Sequence, residues 1–242
     1  MSQRWALVIV FTLVGCSKLT SPSQTAPQAP SPEQVAAAEF AAAQDKAATE
    51  IQSLGGEVLR NDAPGNPIHA VRFTGKKTDI AALAATLKPL AQLQELTLDH
   101  AELTDADLNS LGELAGLTTL DLSGNELTDA GLPHLKPLAK LESLQLNQNK
   151  LTAAGLTHLK EFPNLKKLSL SSNAITDDSL AHLTELTHLE ELDLNGCGVT
   201  DAAFAHLAKL PKLKEVRLAF TLVTPQGATT FQQQRVDVKV EK

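Results

Sequence analysis

The sequence predicts an α/β solenoid: a stack of near-identical strand, turn and helix coils with a parallel sheet on one wall and short helices on the other. Three observations predict it. Leu93, Leu117, Leu141, Leu165, Leu189 and Leu213 fall 24 residues apart without a slip. Each opens a segment of the pattern LxxLxL: LQELTL, LTTLDL, LESLQL, LKKLSL, LEELDL and the degenerate LKEVRL. The chain is 43% hydrophobic but only 3% aromatic over 242 residues, so a sizeable core must be aliphatic. Self-similarity at a fixed period of about 20 to 50 residues is the mark of stacked repeats.

The elements follow in chain order. Arg4 precedes Trp5 to Val14, ten mostly apolar residues that lead to small Gly15 and Cys16. That is about half of the roughly 20 residues a membrane span needs, so residues 1–15 read as a secretory signal. Residues 16–32 read as a tether, because Ser17 to Pro32 carries four prolines and four serines and too little apolar surface to fold. In polyproline II form these residues would reach about 50 Å at roughly 3.1 Å each. Glu33 to Leu54 is expected as a helix with the stripe Val35, Phe40, Ala43, Ala47 and Ile51, ending at Gly55-Gly56. Glu57 to Arg60 and Ile68 to Phe73 are expected as short strands around NDAPGNP. Ile68, Val71 and Phe73 repeat LxxLxL one residue out of phase, so 33–92 is a helical cap plus a degenerate first repeat.

Residues 93–242 are the repeats proper and a C-terminal cap strand. In the second repeat the apolar positions are Leu117, Leu120, Leu122, Leu127, Leu132, Leu135 and Leu138. The first three have strand spacing and the last three a helical stripe. Thr104, Thr128, Thr152, Thr176, Thr200 and Thr224 stand where a hydroxyl can cap a helix N-terminus. Asp follows four of them, at the positive end of the helix dipole, and Pro225 follows the last. Val236, Val238 and Val240 alternate with Asp237, Lys239 and Glu241 as a final strand whose charges discourage edge pairing. One unit cannot bury its apolar face alone, so the stack must be cooperative and capped.

Eight residues after each opening Leu stand Ala101, Asn125, Asn149, Asn173, Cys197 and Thr221. With LTDAGLPHL at 127–135, this pattern resembles the short bacterial leucine-rich repeat over residues 93 to about 234. The resemblance implies a right-handed β-α superhelix with a concave parallel sheet and convex helices, and a general role in binding protein. It also implies that the Asn position satisfies backbone groups at the turn and accepts Cys or Thr. Cys197 is therefore expected as a buried structural thiol, and Ala101 leaves its turn without that support. Leu13-Val14-Gly15-Cys16 resembles a bacterial lipobox, which implies that Cys16 is acylated and begins the mature protein. Several acyl chains would give lasting membrane attachment. Ser17 stands where an inner-membrane retention signal would carry Asp, which favours the outer membrane of a bacterial envelope.

Function classes can be excluded before a site is chosen. A net charge of -7 and a pI of about 5.5 argue against nucleic-acid binding, which rests on clustered Lys and Arg. There is no CxxC pair, GxSxG, HExxH, Walker A loop or Rossmann fingerprint. The expected concave face presents three columns. They are Glu95, Thr119, Ser143, Lys167, Glu191 and Glu215; Thr97, Asp121, Gln145, Ser169, Asp193 and Arg217; and Asp99, Ser123, Asn147, Ser171, Asn195 and Ala219. Six carboxylates face two basic residues, with Phe220 at the rim. Glu191, Asp193, Asn195 and Glu215 are the densest polar group; a flat sheet offers fewer oxygens than calcium wants, and an Arg217–Asp193 ion pair is expected instead. His134, His158, His182 and His206 recur on the helical side, too far apart to share a metal.

The sequence thus predicts a non-catalytic, monomeric recognition module for a protein partner bearing basic or hydrogen-bonding groups. It is held to a membrane through Cys16, with no cofactor, metal or nucleic acid. The alternative is an envelope protein that self-associates without a dedicated ligand.

Overall fold

A computed structural model describes residues 31–75 and 77–242; the expected signal segment, Cys16 and the tether as far as residue 30 lie outside them. The LxxLxL segments line up as neighbours in one nine-stranded sheet whose order is the chain order. Its strands are β1 (Glu57–Arg60), β2 (Ile68–Thr74), β3 (Glu95–Asp99), β4 (Thr119–Asp121), β5 (Ser143–Gln145), β6 (Lys167–Ser169), β7 (Glu191–Asp193), β8 (Glu215–Arg217) and β9 (Lys239–Glu241). β1 and β2 form an antiparallel pair, and every later pairing is parallel. Leu96, Leu120, Leu144, Leu168, Leu192, Val216 and Val240 stand abreast, so the leucine period is the register. β2 joins one residue out of phase, with Val71 opposite Leu96 and Phe73 opposite Leu98.

The other layer is built from short turns. Leu108–Leu111 (α3), Ala153–Leu156 (α4) and Phe204–Leu207 (α5) are single α-turns, and Leu132–Leu135, Leu159–Glu161, Asp177–Glu185 and Asp201–Ala203 are 3₁₀. The cause is in the spacing: Leu132, Leu135 and Leu138 are all buried and three apart, and three residues per turn is the 3₁₀ period. Among the described residues the α-helices longer than one turn are α1 (Pro32–Ser53), α2 (Ile80–Leu87) and α6 (Pro225–Gln234).

α1 starts at Pro32, earlier than expected, because Ser31 and Gln34 form a reciprocal capping box. Its buried face is Gln44, Ala47, Ala48 and Ile51; the expected stripe fails at its start, where Val35 and Ala43 are exposed. Gln44 was not foreseen as a core residue. It is buried because its Oε1 accepts a 2.9 Å hydrogen bond from the Ile68 N–H, docking the helix on β2.

Side chains stitch each turn to its neighbours. Asn125 Oδ1 accepts from the Ala101 and Leu103 N–H groups at 3.0 Å, and its Nδ2 donates to Leu98, Leu122 and Ser123 carbonyls. Asn149 and Asn173 repeat this pattern one unit on. The Asn therefore serves the preceding unit, which is how Ala101 is accommodated. Cys197 Sγ donates to the Leu170 carbonyl at 3.3 Å; burial pushes the thiol pKa up, as suits an inert structural Cys. The residue before each of these positions has positive φ: His100, Gly124, Gln148, Ser172, Gly196 and Phe220.

The final strand departs from expectation. β9 holds only Lys239–Glu241, and Val236 is 82% exposed. Parallel register with β8 sets Val240 opposite Val216, while Val238 N–H bonds back to the Arg235 carbonyl in a turn. The alternation of three valines was thus not one strand.

Candidate functional site

Strand alternation sends one leucine column into the core and leaves the flanking residues on the open face. Glu95, Thr97 and Asp99 lie on β3, Asp121 on β4, Gln145 on β5, Lys167 and Ser169 on β6, Glu191 and Asp193 on β7, and Glu215 and Arg217 on β8. Ser123, Asn147 and Asn195 follow the strand ends. All these positions share one face. The frame also brings in residues that the three columns omitted: Arg72 pairs with Thr97, Lys239 with Glu215, and Glu241 with Arg217. Ile68, Val71 and Phe73 already carried the signal for Arg72, and Val240, 24 residues after Val216, carried it for Lys239 and Glu241.

The electrostatics divide the face. Towards the C-terminal end the charges are mutually neutralised. Lys167 Nζ meets Glu191 at 2.7 Å, and Arg217 binds Glu215 through Nη2 and Glu241 through Nε at 3.1 Å. Lys239 binds Glu241 and lies 3.8 Å from Glu215. Hydrogen bonds from Lys239 and then Arg217 lower the Glu241 pKa, and the Glu241 hydrogen bond raises that of Lys239. The expected Arg217–Asp193 ion pair does not form. The two stand opposite in the ladder, but the flanking Glu215 and Glu241 take the guanidinium from both sides.

Glu95, Asp121 and Asp193 make no ion pair among the described residues, and Asp99 pairs only with His100, Oδ1 to Nδ1 at 2.7 Å. Asp121 Oδ1 accepts the Ser123 N–H and Asp193 Oδ1 the Asn195 N–H, each at 2.9 Å. That fixes each carboxylate with one oxygen turned to its own backbone. Asn147 Oδ1 accepts from Ser169 Oγ at 2.5 Å and from the Ser171 N–H at 2.9 Å. Between β5 and β7 the small Ser143 and Ser169 leave a hollow of about 280 Å³, bordered by Gln145, Asn147, Lys167, Glu191, Asp193 and Arg217. Its rim offers carboxylate, amide and hydroxyl groups on a fixed backbone, an arrangement suited to hydrogen bonding.

The carboxylates considered for calcium are partly occupied, Glu191 by Lys167 and Glu215 by Arg217. Among the described residues no three His, Cys, Asp or Glu side chains gather as a metal site. His134, His158, His182 and His206 lie in the helical layer, away from the open face. Among the described residues no helix is long and apolar enough to cross a membrane.

The comparisons bear on the fold. Solved structures with a similar fold include an internalin C2 from Listeria monocytogenes, 19% identical, with a TM-score of 0.55 over 83% of this chain and 92% of that one. Another is a leucine-rich-repeat protein of Leptospira interrogans, 19% identical, with a TM-score of 0.49 over 65% of this chain. The present chain covers 45% of the Leptospira chain's length. No curated protein matches the sequence. Residues 139–199 match the family described as Leucine rich repeat, and residues 117–132 match a second family of that description. The periodic core, the in-register parallel sheet and the family matches over part of the chain give the protein an α/β solenoid fold of the leucine-rich-repeat kind.

Proposed function

We propose that the chain is a lipid-anchored, extracytoplasmic recognition module of a bacterial envelope, and that the open, concave face of its sheet docks a protein partner presenting basic groups. The observation that carries the reading is the uncompensated acid along that face. Among the described residues Glu95, Asp121 and Asp193 form no ion pair with a Lys or Arg, whereas the C-terminal rim has spent its charges on itself. Fixed carboxylates of one sign steer an oppositely charged partner and set its register. The polar hollow beside Asp193 adds hydrogen-bonding positions at the centre of the face. The repeat spacing runs on without a catalytic insertion, in keeping with a binding role. Anchoring rests on Leu13-Val14-Gly15-Cys16 and on a Pro- and Ser-rich stretch long enough to hold the repeats clear of a membrane.

One experiment in intact cells tests both parts. Crosslinking followed by mass spectrometry identifies the partner, and affinity is then compared for the wild type and the double reversal Asp121→Lys/Asp193→Lys. Loss of at least about tenfold in affinity, steepest at low salt, is expected; unchanged affinity removes the concave-face reading. In the same cells Cys16→Ser should move the protein out of the membrane fraction, and a protein that stays there overturns the anchor.

A further inference from the structure

A sheet that ends at an exposed strand offers unpaired backbone groups to any other strand. β9 is such an end. Its inward groups are used on β8: the Lys239 N–H donates to the Lys214 carbonyl, and the Glu241 carbonyl accepts from the Leu218 N–H. The outward groups are those of Val238 and Val240. The Gln232 side chain reaches back from α6 to meet two of them, with Oε1 accepting the Val240 N–H at 3.1 Å and Nε2 donating to the Val238 carbonyl. One carboxamide so placed does what a residue of a tenth strand would do, accepting one hydrogen bond and donating the other.

We propose that the C-terminal sheet edge is a latent self-pairing surface and that the Gln232 carboxamide is the latch that keeps it closed. The occupant it excludes is a second copy of the same strand. Antiparallel pairing about a two-fold axis at Val240 places the two Val240 residues opposite each other, exchanging N–H and C=O hydrogen bonds. Lys239 of each copy then faces Glu241 of the other, two opposite-charge pairs on one face of the sheet. Phe220 is 95% exposed and Val236 82%, so this end of the stack also carries apolar surface that a second copy could cover. The inference goes beyond the recognition reading: Lys239 and Glu241 lie at the neutralised C-terminal rim of the open face, apart from the Glu95, Asp121 and Asp193 carboxylates that carry that reading.

The test is Gln232→Ala in the full chain, made alongside Gln232→Ala/Lys239→Glu. Under dilute conditions the Val240 amide of Gln232→Ala should exchange with solvent about fivefold faster than in the wild type, the scale of one lost hydrogen bond. Light scattering across a concentration series should move Gln232→Ala from the mass of one chain towards twice that. Adding Lys239→Glu sets like charges opposite and should return it to a single chain, and Lys239→Glu/Glu241→Lys on the Gln232→Ala background should restore pairing. Unchanged Val240 exchange overturns the latch. A variant that stays single at every concentration, or that pairs equally well with Lys239→Glu, overturns the self-pairing surface.

Discussion

At the scale of the residue, the Asp of each LTDAGL segment does more than answer a helix dipole. Asp129 Oδ1 accepts the Thr152 N–H at 2.8 Å and its Oδ2 the Thr152 hydroxyl at 2.6 Å, one unit further on. Asp105 holds Thr128, Asp177 holds Thr200 and Asp201 holds Thr224 in the same way. On the present backbone a Cβ at Gly131, Gly155 or Gly227 would crowd the Asp carboxylate of the preceding unit; in the unit of Thr200 the backbone accommodates Ala203 in the same slot beside the Asp177 clamp. Where the preceding unit has no Asp, the oxygen comes from within. Ala153 precedes Thr176, whose N–H goes to Ser179 Oγ at 2.8 Å; Ile80-Ala81 precede Thr104, whose N–H goes to Asp107 Oδ2 at 2.8 Å. Ser179 and Asp107 occupy the Gly155 slot of their units. Asp129→Ala should therefore cost about 2 kcal/mol of stability, and Gly155→Ser alone about 1 to 3 kcal/mol by collision. Together they recreate the Ala153–Ser179 solution, and urea unfolding should place the double variant within about 1 kcal/mol of wild type. Losses that simply add would show that the two positions are independent.

At the scale of the element, the C-terminal cap hangs on carboxylates. Asp201 ties Thr224, the N-cap of α6. Arg235, held by Asp237 at 2.8 Å, donates to the Ala208, Leu210 and Leu213 carbonyls of the preceding unit. The Thr224 hydroxyl lowers the Asp201 pKa, and the Arg235 hydrogen bond lowers that of Asp237. A carboxylate with a depressed folded-state pKa contributes stability that is complete above its ordinary value, near 3.8 for Asp, and is lost as pH falls below it. Acidification through that range should loosen α6 and β9 before the middle of the stack. Amide exchange at Gly227 and Val238 would then accelerate while Leu120 stays protected; simultaneous loss at all three would contradict it, and Asp201→Asn should reduce the effect. The sequence was legible at this scale wherever a signal was periodic. LxxLxL placed β3 to β8, and even the 25-residue step into β2 could be read from Ile68, Val71 and Phe73. Val236 to Val240 misled because a two-residue alternation is local, whereas register with β8 is imposed by the neighbouring unit. Gln44 and Gln232 gave no periodic signal, since each works through a single tertiary hydrogen-bonding arrangement.

At the scale of the whole molecule, the repeats are interchangeable only as far as their side-chain ties match. The open face was largely readable, because any residue flanking a core leucine must share it. Which charges remain free there was not, since Arg217 had three carboxylates within reach and packing chose Glu215 and Glu241 over Asp193. A one-dimensional stack makes a sharp test of the ties possible, because each unit touches only its neighbours. Excising residues 117–140 brings Asp105 against Thr152 with Gly155 in the open slot, so the clamp reforms, and Asn149 takes over the contacts of Asn125. Excising residues 165–188, an equally long and equally in-phase unit, brings Ala153 against Thr200 with Ala203 in the slot, so neither side supplies an oxygen to the Thr200 N–H. Both shortened chains keep the leucine register and should retain the far-ultraviolet signature of the parent. The second should be less stable than the first by about 1 to 3 kcal/mol in chemical denaturation, the cost of an unmet donor and a lost hydroxyl bond. Replacing Ala203 by Ser in the second deletion restores an acceptor and should recover most of the difference. Equal stability of the two deletions would mean that leucine spacing alone governs the stack and that the Asp–Thr clamps add nothing.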